Sequence, residues 1–581
     1  MILGIQCFGH DTSASLVGAD GQIYAAVEEE RFSRRKRESR FPGEAISACL
    51  KIANADFGDV TSVAVPWHPG ALFFERLLWR NSIRYPASPK VWYKNATLVY
   101  DSLHIAQELK HRFGLTRELK VRHFRHHLAH AASACYPSPF SECAYLTIDG
   151  CGEVETITWG ECQGARVRQL GRVCFPHSIG KLYSAMSRFL GFHRADKYGT
   201  VMALAGCGEP KYTSEIREML KIIPHEGLRG IRLDTRFFDL QTANLPSPAM
   251  SQHLHTPIRH PEDPITQVHK DIAASLQRVA QEAIIYLVRE LQSETKATNL
   301  VLAGGVAMNS VTNGLILQET PFRQLFTQPA SHDGGLSLGA ALLLAHETRS
   351  TKGPCIMESA ALGPQYSDDE ILSSIRNVGN LRVQQPPDLA REVADRLQHG
   401  EIVALFRGRL EFGPRALGNR SILADPRYPD IQRRLNSLKG RESFRPYGAA
   451  ILHDQAEAWL QRGTESPFMN MVDFFKPAVS SLVPGVQHID QSVRVQTVRN
   501  DVDPFLYSVI REFGNLTGVP ILVNTSLNVR GEPLACSPAD ALRVFSTGKL
   551  GAIVMGSYLV MQANNSDDLA TCSPVAALQS I

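Results

Sequence analysis

The chain has 581 residues, of which 44% are hydrophobic and 20% are charged, and its formal net charge is +3. These values are typical of a folded globular protein and exclude a disordered chain, and the length predicts two or more domains. The balanced charge gives no global attraction to nucleic acid or to an anionic membrane, so any anion site must be local.

The N-terminal sequence and the cysteines indicate a cellular compartment. The first residues, MILGIQCFGHDTS, contain no basic region followed by a long apolar one, and no apolar run reaches the ~18 residues that span a bilayer. The 11 cysteines include no Cys-x-x-Cys pair, which argues against a disulfide framework and against a thiolate zinc site. We therefore expect a cytoplasmic protein that is not associated with a membrane.

The beginning of the chain predicts a three-stranded unit. Residues 1–37 read as a strand, a turn at His10, a second strand, a tight turn at Asp20 and a third strand. The same pattern returns in residues 143–173, where the first strand ends at Asp149. Two such units, each followed by helical sequence, predict a duplicated α/β domain with a cleft between its halves. This is the architecture of actin, hexokinase and Hsp70-type nucleotide-binding proteins.

Four of the chain's 20 histidines lie within residues 123–130. His126 and His130 are four residues apart, so on a helix they share one face. That spacing suits a shared ligand, although the pair alone is explained at least as well by a structural role.

Two further turns follow in the second unit. Residues 299–317 read as a buried strand, a turn at Gly304 and Gly305, and a helix whose first amides can face a phosphate or ribose. Asp333 lies in a glycine-rich turn before an apolar helix, where a helix cap is the simplest explanation. Around the predicted cleft, however, the two imidazoles and two carboxylates form a set that suits Fe(II), Mn(II) or Zn(II); the set is His126, His130, Asp149 and Asp333.

A polar stretch at residues 346–362 is interpreted as a linker, so we predict domains at 1–350 and 351–581.

Between residues 405 and 446, nine arginines and Lys439 accompany only four acids. Arginine binds phosphate bidentately, so this density predicts a phosphorylated ligand or a nucleic-acid backbone, although a solvated basic face explains any single arginine. Arg415 lies in a turn rich in glycine and proline and Arg445 precedes a proline, which favours a ligand role for both.

The segment VPILVNTSLNVRGEPL predicts an apolar strand that ends in hydrogen-bond donors. Asn524 and Ser526 close the strand, and Arg530 follows shortly after it. Hydroxyl, amide and guanidinium groups at one strand end predict a cradle for an oxyanion.

Nine of these stretches together resemble one enzyme family: FGHDTSASL, HHLAHAASA, TIDGCGE, KYGTVMALA, LAGGVAMNS, SHDGG, EFGPRALGNRSILADPR, LKGRESFRP and NTSLNVRGEP. Over essentially its whole length, the chain is similar to the natural-product O-carbamoyltransferases of the NodU, CmcH and TobZ type. The resemblance implies an N-terminal domain like the tRNA-threonylcarbamoylation protein Kae1, with the duplicated ribonuclease H-like fold of actin and Hsp70. It also implies a C-terminal YrdC-like α/β domain.

The resemblance also implies the chemistry. The C-terminal domain would make carbamoyladenylate from carbamoyl phosphate and ATP, with Mg²⁺ accompanying the ATP. The N-terminal domain would transfer the carbamoyl group to a hydroxyl of a small-molecule natural product. The residues implied to bind carbamoyl phosphate or the ATP phosphates are Arg415, Lys439, Arg445, Arg494, Asn524, Ser526 and Arg530.

In the N-terminal domain, the resemblance implies a bound metal, which would be Fe(II) or another divalent first-row metal. Its ligands would be His126, His130, Asp149 and Asp333. The nucleotide pocket would be lined by Gly304, Gly305 and Asn309. His10 would be the general base for the acceptor hydroxyl, because imidazole titrates near the operating pH; a simple turn histidine beside Asp11 is the alternative. The segments expected to shape the acceptor pocket, around residues 66–115 and 207–265, carry no recognisable motif.

Two other functions remain open. A fused tRNA threonylcarbamoyladenosine synthase would use the same two domain types, but RNA partners usually bring a basic surface and the net charge here is only +3. A non-enzymatic, nucleotide-switched binding module would not need the arginine-rich stretch. We therefore expect no nucleic-acid partner, and the sequence does not define an oligomeric state.

Overall fold

The structure, a computed structural model, describes residues 1–164, 166–193, 198–241, 245–347, 355–547 and 550–563. Within these ranges the chain forms two five-stranded sheets and one nine-stranded sheet, together with small two-stranded hairpins. No helix among the described residues is long and apolar enough to cross a lipid bilayer.

The first sheet begins with the predicted three-stranded unit. Its strands are β1 (Ile2–Gln6), β2 (Ser13–Val17), β3 (Ile23–Glu28), β4 (Ser62–Val65) and β5 (Lys120–His123), in the order β3-β2-β1-β4-β5. The first three strands are antiparallel, and β4 and β5 extend the sheet in parallel to β1. The strand-turn-strand interpretation of residues 1–37 is confirmed.

The second sheet repeats this arrangement. Its strands are β6 (Glu142–Ile148), β7 (Glu155–Gln163), β8 (Arg166–Cys174), β9 (Asn299–Ala303) and β10 (Gln324–Thr327), in the order β8-β7-β6-β9-β10. An antiparallel meander is again followed by two parallel strands. The matching order confirms the predicted duplicated, ribonuclease H-like fold of the actin and Hsp70 type.

Helices cover both sheets and join them. The described α-helices of eight or more residues are α1 (Gly43–Ile52), α2 (Pro89–Phe113), α3 (His126–Cys135), α4 (Ile179–Phe189), α5 (Tyr198–Ala205), α6 (Gln267–Thr295), α7 (Ser310–Glu319) and α8 (Leu336–Glu347), and a π-helix spans Leu72–Arg84. Helix α8 packs on the first sheet, α3 packs on the second, and the two helices contact each other. At Gly339 an added Cβ would lie 1.9 Å from the carbonyl oxygen of Ala129, so glycine permits this close crossing. The crossing brings the start of α3 next to the turn that precedes α8.

The C-terminal part is a separate mixed α/β sheet with its own core. Its strands are β11 (Leu381–Gln384), β12 (Val403–Phe406), β13 (Arg420–Ala424), β14 (Gly448–Leu452), β15 (Met471–Phe474), β16 (Ser492–Val498), β17 (Ile521–Ser526), β18 (Ala552–Met555) and β19 (Tyr558–Gln562). Their order is β11-β19-β18-β12-β13-β17-β14-β16-β15. The helices are α9 (Asp368–Arg376), α10 (Leu389–Gln398), α11 (Ile431–Lys439), α12 (Pro504–Thr517) and α13 (Pro538–Phe545). The predicted C-terminal α/β fold is confirmed.

The two parts of the chain pack against each other. Leu410, Ala416 and Leu534 of the C-terminal part are buried in the core of the first sheet. The Arg31 guanidinium, on the N-terminal side, donates a hydrogen bond to the Gly413 carbonyl at 2.6 Å. The predicted domain boundary at 350/351 lies outside the described residues. The predicted linker begins too early, because residues 346 and 347 are the last turn of α8.

His488 couples the two parts through its charge. The ring is 8% exposed, lies 3.3 Å from a carboxylate oxygen of Asp490, and packs against Gly206 of the N-terminal part. Burial alone lowers the pKa of His488, but Asp490 and the Cys207 thiol outweigh it and raise the pKa to about 9. The charged imidazole therefore stabilises the folded chain below the unfolded pKa of about 6.5, and this contribution is lost as the pH rises through about 9.

We expect His488→Gln to remove this pH dependence. Between pH ~6.5 and ~9, the unfolding free energy of the wild-type protein should fall by about 2–3 kcal/mol more than that of the variant. Denaturant unfolding of both proteins across this range measures the difference. Parallel pH profiles for the two proteins would contradict the assignment of a charged, interface-stabilising His488.

Candidate functional site

The four predicted metal ligands converge between the two sheets, and we call them the His/Asp cluster: His126, His130, Asp149 and Asp333. The two histidines lie one turn apart at the start of α3, Asp149 follows β6, and Asp333 precedes α8. The ligand atoms of all four lie within 4.8 Å of one another. The two Nε2 atoms are 3.1 Å apart, and Asp149 Oδ2 lies 3.6 Å from the nearer of them. The structure thus brings the predicted set together.

The charges in the His/Asp cluster hold both carboxylates ionised. Burial lowers the pKa of His126, but Asp149 and Asp333 outweigh it and raise that pKa, so a bound cation would take the place of a proton there. Burial raises the pKa of Asp149, but His126 and His130 outweigh it and hold that pKa well below its usual range. The pKa of Asp333 is likewise lowered, because His10 and the cluster histidines outweigh its burial and the repulsion of Asp149. Burial lowers the pKa of His130 and keeps this imidazole neutral. Ionised carboxylates and a neutral imidazole are the states that ligate metals.

The geometry fits a divalent cation. Two imidazole nitrogens that face each other at 3.1 Å require a proton or a cation between them, because two lone pairs at that distance repel. His130 Nε2 also lies 3.5 Å from Asp333 Oδ1, so a carboxylate faces the same point. Two nitrogen and two oxygen donors suit a first-row divalent metal.

Hydrogen bonds across the cleft fix the turn that carries Asp333. The Ser13 hydroxyl on β2 donates to the Gly334 carbonyl at 2.7 Å and lies 2.8 Å from the Ser337 hydroxyl. Ser15, two residues further along β2, lies 2.8 Å from the same Ser337 oxygen. These contacts join the first sheet to the start of α8 and so place the β1–β2 turn beside the cluster.

His10 lies in that turn at the edge of the His/Asp cluster. Its side chain is 46% exposed, with Nδ1 2.8 Å from Asp11 Oδ2 and 3.6 Å from Asp333 Oδ2. Partial burial lowers the pKa of His10, but the charges of Asp333 and Asp11 outweigh it and raise the pKa. Because Nδ1 faces a carboxylate, Nε2 is the ring atom that can exchange a proton with a substrate.

The predicted nucleotide loop adjoins the cluster. Gly304 has φ 88°, and a Cβ there would lie 2.3 Å from the Ile148 carbonyl oxygen, so only glycine fits. The Gly305 amide donates to Asp149 Oδ1 at 2.9 Å and thereby connects loop and cluster. Asn309, in contrast, caps α7 and exchanges hydrogen bonds with Gln277, so its side chain is engaged within the protein. Direct nucleotide contacts of these residues stay a prediction.

In the C-terminal part, strand register explains how distant residues meet. Gly448 on β14 lies opposite Arg494 on β16 and opposite Asn524 on β17. Directly opposite residues share one face of a sheet, so the arginine and the asparagine flank a glycine that has no side chain. At the end of α11, the Lys439 ammonium donates to Ser526 Oγ at 3.0 Å and to Asn528 Oδ1 at 2.7 Å.

The basic side chains here form what we call the cation pocket: Arg415, Lys439, Arg441, Arg445 and Arg494. Burial and then mutual repulsion lower the pKa of Arg415 to about 10 and that of Arg494 and Lys439 well below their usual values. Within the part of the chain that the structure describes, Nε of Arg415 and Nε of Arg494 are buried without a hydrogen-bond partner. Buried cations that repel one another favour an anionic ligand.

Two further arginines lie at or beside the cation pocket, and a ligand role for Arg530 stays a prediction. Arg530 is exposed and lies near Gly440, at the rim of the cation pocket. Arg441 was missed, although its guanidinium stacks on Tyr447 at 4.1 Å, donates to Asn436 and has its pKa lowered by burial to about 10. Its position in LKGRESFRP, between Lys439 and Arg445, is the signal that could have identified it.

A separate cavity of about 1090 Å³ lies between the two parts of the chain. It is lined by residues such as Phe326, Arg407 and Phe505, and by none of the His/Asp cluster or the cation pocket. The two predicted sites are therefore distinct from this cavity.

Comparison with known proteins matches both parts of the chain to the same family. The family model for the carbamoyltransferase N-terminus matches residues 1–342, and that for the carbamoyltransferase C-terminus matches residues 394–562. An uncharacterised protein of Synechocystis is 35% identical, over 96% of each chain. Nodulation protein NolNO of Sinorhizobium fredii is 34% identical, over 97% of this chain and 80% of its own. Nodulation protein NolO of Bradyrhizobium diazoefficiens is 35% identical, over 75% of this chain and 78% of its own.

Proposed function

Because this chain belongs to the carbamoyltransferase family, we propose that it carbamoylates a hydroxyl group of a small-molecule natural product in two stages. The C-terminal part makes carbamoyladenylate from carbamoyl phosphate and ATP. The N-terminal part transfers the carbamoyl group to the acceptor and releases AMP. The observation that carries the proposal is the cation pocket, whose buried basic groups repel one another and so favour an anionic ligand.

In the first stage, water releases phosphate from carbamoyl phosphate, and an oxygen of the resulting carbamate attacks the α-phosphorus of ATP. Pyrophosphate leaves, and carbamoyladenylate remains. Arg415 and Arg494 neutralise the phosphate charge, because a guanidinium binds two phosphate oxygens at once. Ser526 and Asn528 hold the Lys439 ammonium in place through its hydrogen bonds to both.

In the second stage, the acceptor oxygen attacks the carbamoyl carbon while its proton passes to Nε2 of His10. The bond to AMP then breaks, and adenylate is a better leaving group than the oxygen of free carbamate. Asp11 orients the imidazole through Nδ1. When bound to the His/Asp cluster, a divalent metal, Fe(II) by resemblance, would supply positive charge for the phosphate or ribose of the adenylate.

We expect His10→Asn to slow transfer by at least ~100-fold, because a positioned base contributes about 10²- to 10⁴-fold and asparagine cannot accept the proton. Formation of carbamoyladenylate should be unchanged, since the cation pocket does not include His10. Single-turnover transfer and acceptor-free pyrophosphate release measure the two stages separately. Wild-type transfer by the variant would remove His10 from the reaction.

The function is tested by supplying labelled carbamoyl phosphate and ATP together with candidate acceptors. The panel contains aminoglycosides, macrolides, lipo-oligosaccharides, guanidinium alkaloids and tRNA. ATP-dependent label in a small alcohol supports the proposal. Label in tRNA alone would favour a threonylcarbamoyladenosine synthase instead, and nucleotide binding without any turnover would favour a binding module.

A further inference from the structure

Three cysteines that are far apart in the sequence meet in the core of the N-terminal part. Cys135 ends α3, Cys143 lies at the start of β6, and Cys162 lies near the end of β7. The last two are directly opposite each other in the antiparallel register of the sheet. Their three sulfur atoms lie within 4.8 Å of one another. The spacing of these cysteines in the sequence does not predict the cluster, because they become neighbours only in the folded chain.

The arrangement suits a soft metal ion. Zinc–sulfur bonds of about 2.3 Å in tetrahedral geometry place the sulfurs ~3.8 Å apart, so the three side chains need to close by about 1 Å or less. All three thiols are buried, at 2–4% exposure, in a cluster that also contains Tyr136 and Tyr145. A thiolate is tolerated in such surroundings only with a compensating charge, which a bound cation provides.

We infer that Cys135, Cys143 and Cys162 form a second metal site, which binds one thiophilic ion of the Zn²⁺ or Cu⁺ class. Three thiolates are donors that Zn²⁺ and Cu⁺ prefer, whereas the nitrogen and oxygen donors of the His/Asp cluster also suit harder divalent metals such as Fe(II) and Mn(II). Binding releases the three thiol protons to solvent, and no electron transfer is involved. The inference is independent of the proposed carbamoyl transfer.

The position of this site suggests its role. Helix α3 carries His126 at its start and Cys135 at its end, about 14 Å away at 1.5 Å per residue. Strand β6 has Cys143 near its start and is followed directly by Asp149. A metal at the cysteine end therefore joins the two elements that position three of the four His/Asp cluster residues, and it stabilises their relative position.

The experiment uses Cd²⁺ as the probe, because sulfur-to-cadmium charge transfer gives an ultraviolet band that histidine and carboxylate ligands do not. Reduced, metal-free, full-length protein is titrated with Cd²⁺. We expect a band with the intensity of one thiolate-bound Cd²⁺ per chain that is complete within two equivalents, because the His/Asp cluster can take a second ion without adding to the band. The affinity should fall by at least ~100-fold in Cys162→Ser, since even outer-shell losses cost 10- to 100-fold. Cys49→Ser is the matched control, because Cys49 is buried in α1 away from the three thiols.

A second measurement does not depend on any variant's folding. In wild-type protein, Zn²⁺ should protect Cys135, Cys143 and Cys162 from alkylation during partial denaturation, whereas Cys49 should react equally with and without Zn²⁺; peptide mass spectrometry reports each site. The inference is overturned if wild-type protein shows no charge-transfer band, if Cys162→Ser keeps the full band, or if Zn²⁺ protects none of the three. Those results would assign the cysteines to ordinary hydrophobic packing.

Discussion

Replacing Arg494 by methionine is expected to reduce carbamoyladenylate formation by about 100- to 1,000-fold and, at the same time, to stabilise the ligand-free protein. The loss of activity follows because truncating one partner of a buried charged contact costs roughly 3–4 kcal/mol. The gain in stability follows because Arg494 is partly buried, with its Nε fully so, beside Arg415, Arg441 and Arg445, and desolvation and repulsion therefore lower its pKa and oppose folding. Methionine, an apolar side chain of similar size, removes that cost, so the unfolding free energy of the ligand-free protein should rise by about 1 kcal/mol or more.

These opposite effects distinguish a ligand-binding arginine from a structural one. Pyrophosphate release measures the first, and denaturant unfolding without ligand measures the second. Arg433→Ala is the matched control, because Arg433 lies on α11 with Lys439 but is 81% exposed. Should Arg494→Met lose stability instead, or form carbamoyladenylate at the wild-type rate, the cation pocket would not be an anion site.

Replacing His126 by alanine is expected to remove the metal from the His/Asp cluster and to stop transfer to the acceptor. Loss of a direct ligand should weaken metal binding by at least ~100-fold, since outer-shell losses alone cost 10- to 100-fold. Elemental analysis of anaerobically purified protein should find one first-row metal, which we expect to be iron, in the wild type and little in the variant. Acceptor-free pyrophosphate release should persist, because the cation pocket belongs to the nine-stranded sheet of the C-terminal part.

His127→Gln is the matched control for this change. His127 neighbours His126 on the same helix, but its nitrogens lie 2.7 Å from the Thr147 hydroxyl and 3.0 Å from the Glu155 carbonyl, outside the cluster. Burial lowers the pKa of His127 to about 3, so it is neutral, and glutamine retains its hydrogen-bonding capacity. Equal metal content in His126→Ala and His127→Gln would return the histidine pair to a structural role.

The sequence predicted those parts of the fold whose signals are local. Strands β1 to β3 and β6 were recognisable from short apolar runs that end in glycine-containing turns, and the repeat of that pattern predicted the duplication. The His/Asp cluster could also be predicted. Its residues lie near a strand end, in a turn or near a helix start, and the duplicated pattern predicts that these positions line one cleft.

Features that depend on tertiary register could not be predicted in this way. Arg494 looks like an ordinary strand arginine until β14 and β16 are aligned and place it beside Gly448. Cys143 and Cys162 become neighbours only through the pairing of β6 with β7. For Asn309, the resemblance implied a place in the nucleotide pocket, and the fold shows in addition that its side chain caps α7.

The central claim, that the two stages occupy separate sites, is tested most directly by mass spectrometric detection of carbamoyladenylate when carbamoyl phosphate and ATP are supplied without an acceptor. The wild-type protein and His126→Ala should both form it together with pyrophosphate, whereas Arg445→Ala should form none, because the cation pocket and the His/Asp cluster lie in different parts of the chain. Absence of carbamoyladenylate from the wild-type reaction, or its loss in His126→Ala but not in Arg445→Ala, would contradict this account.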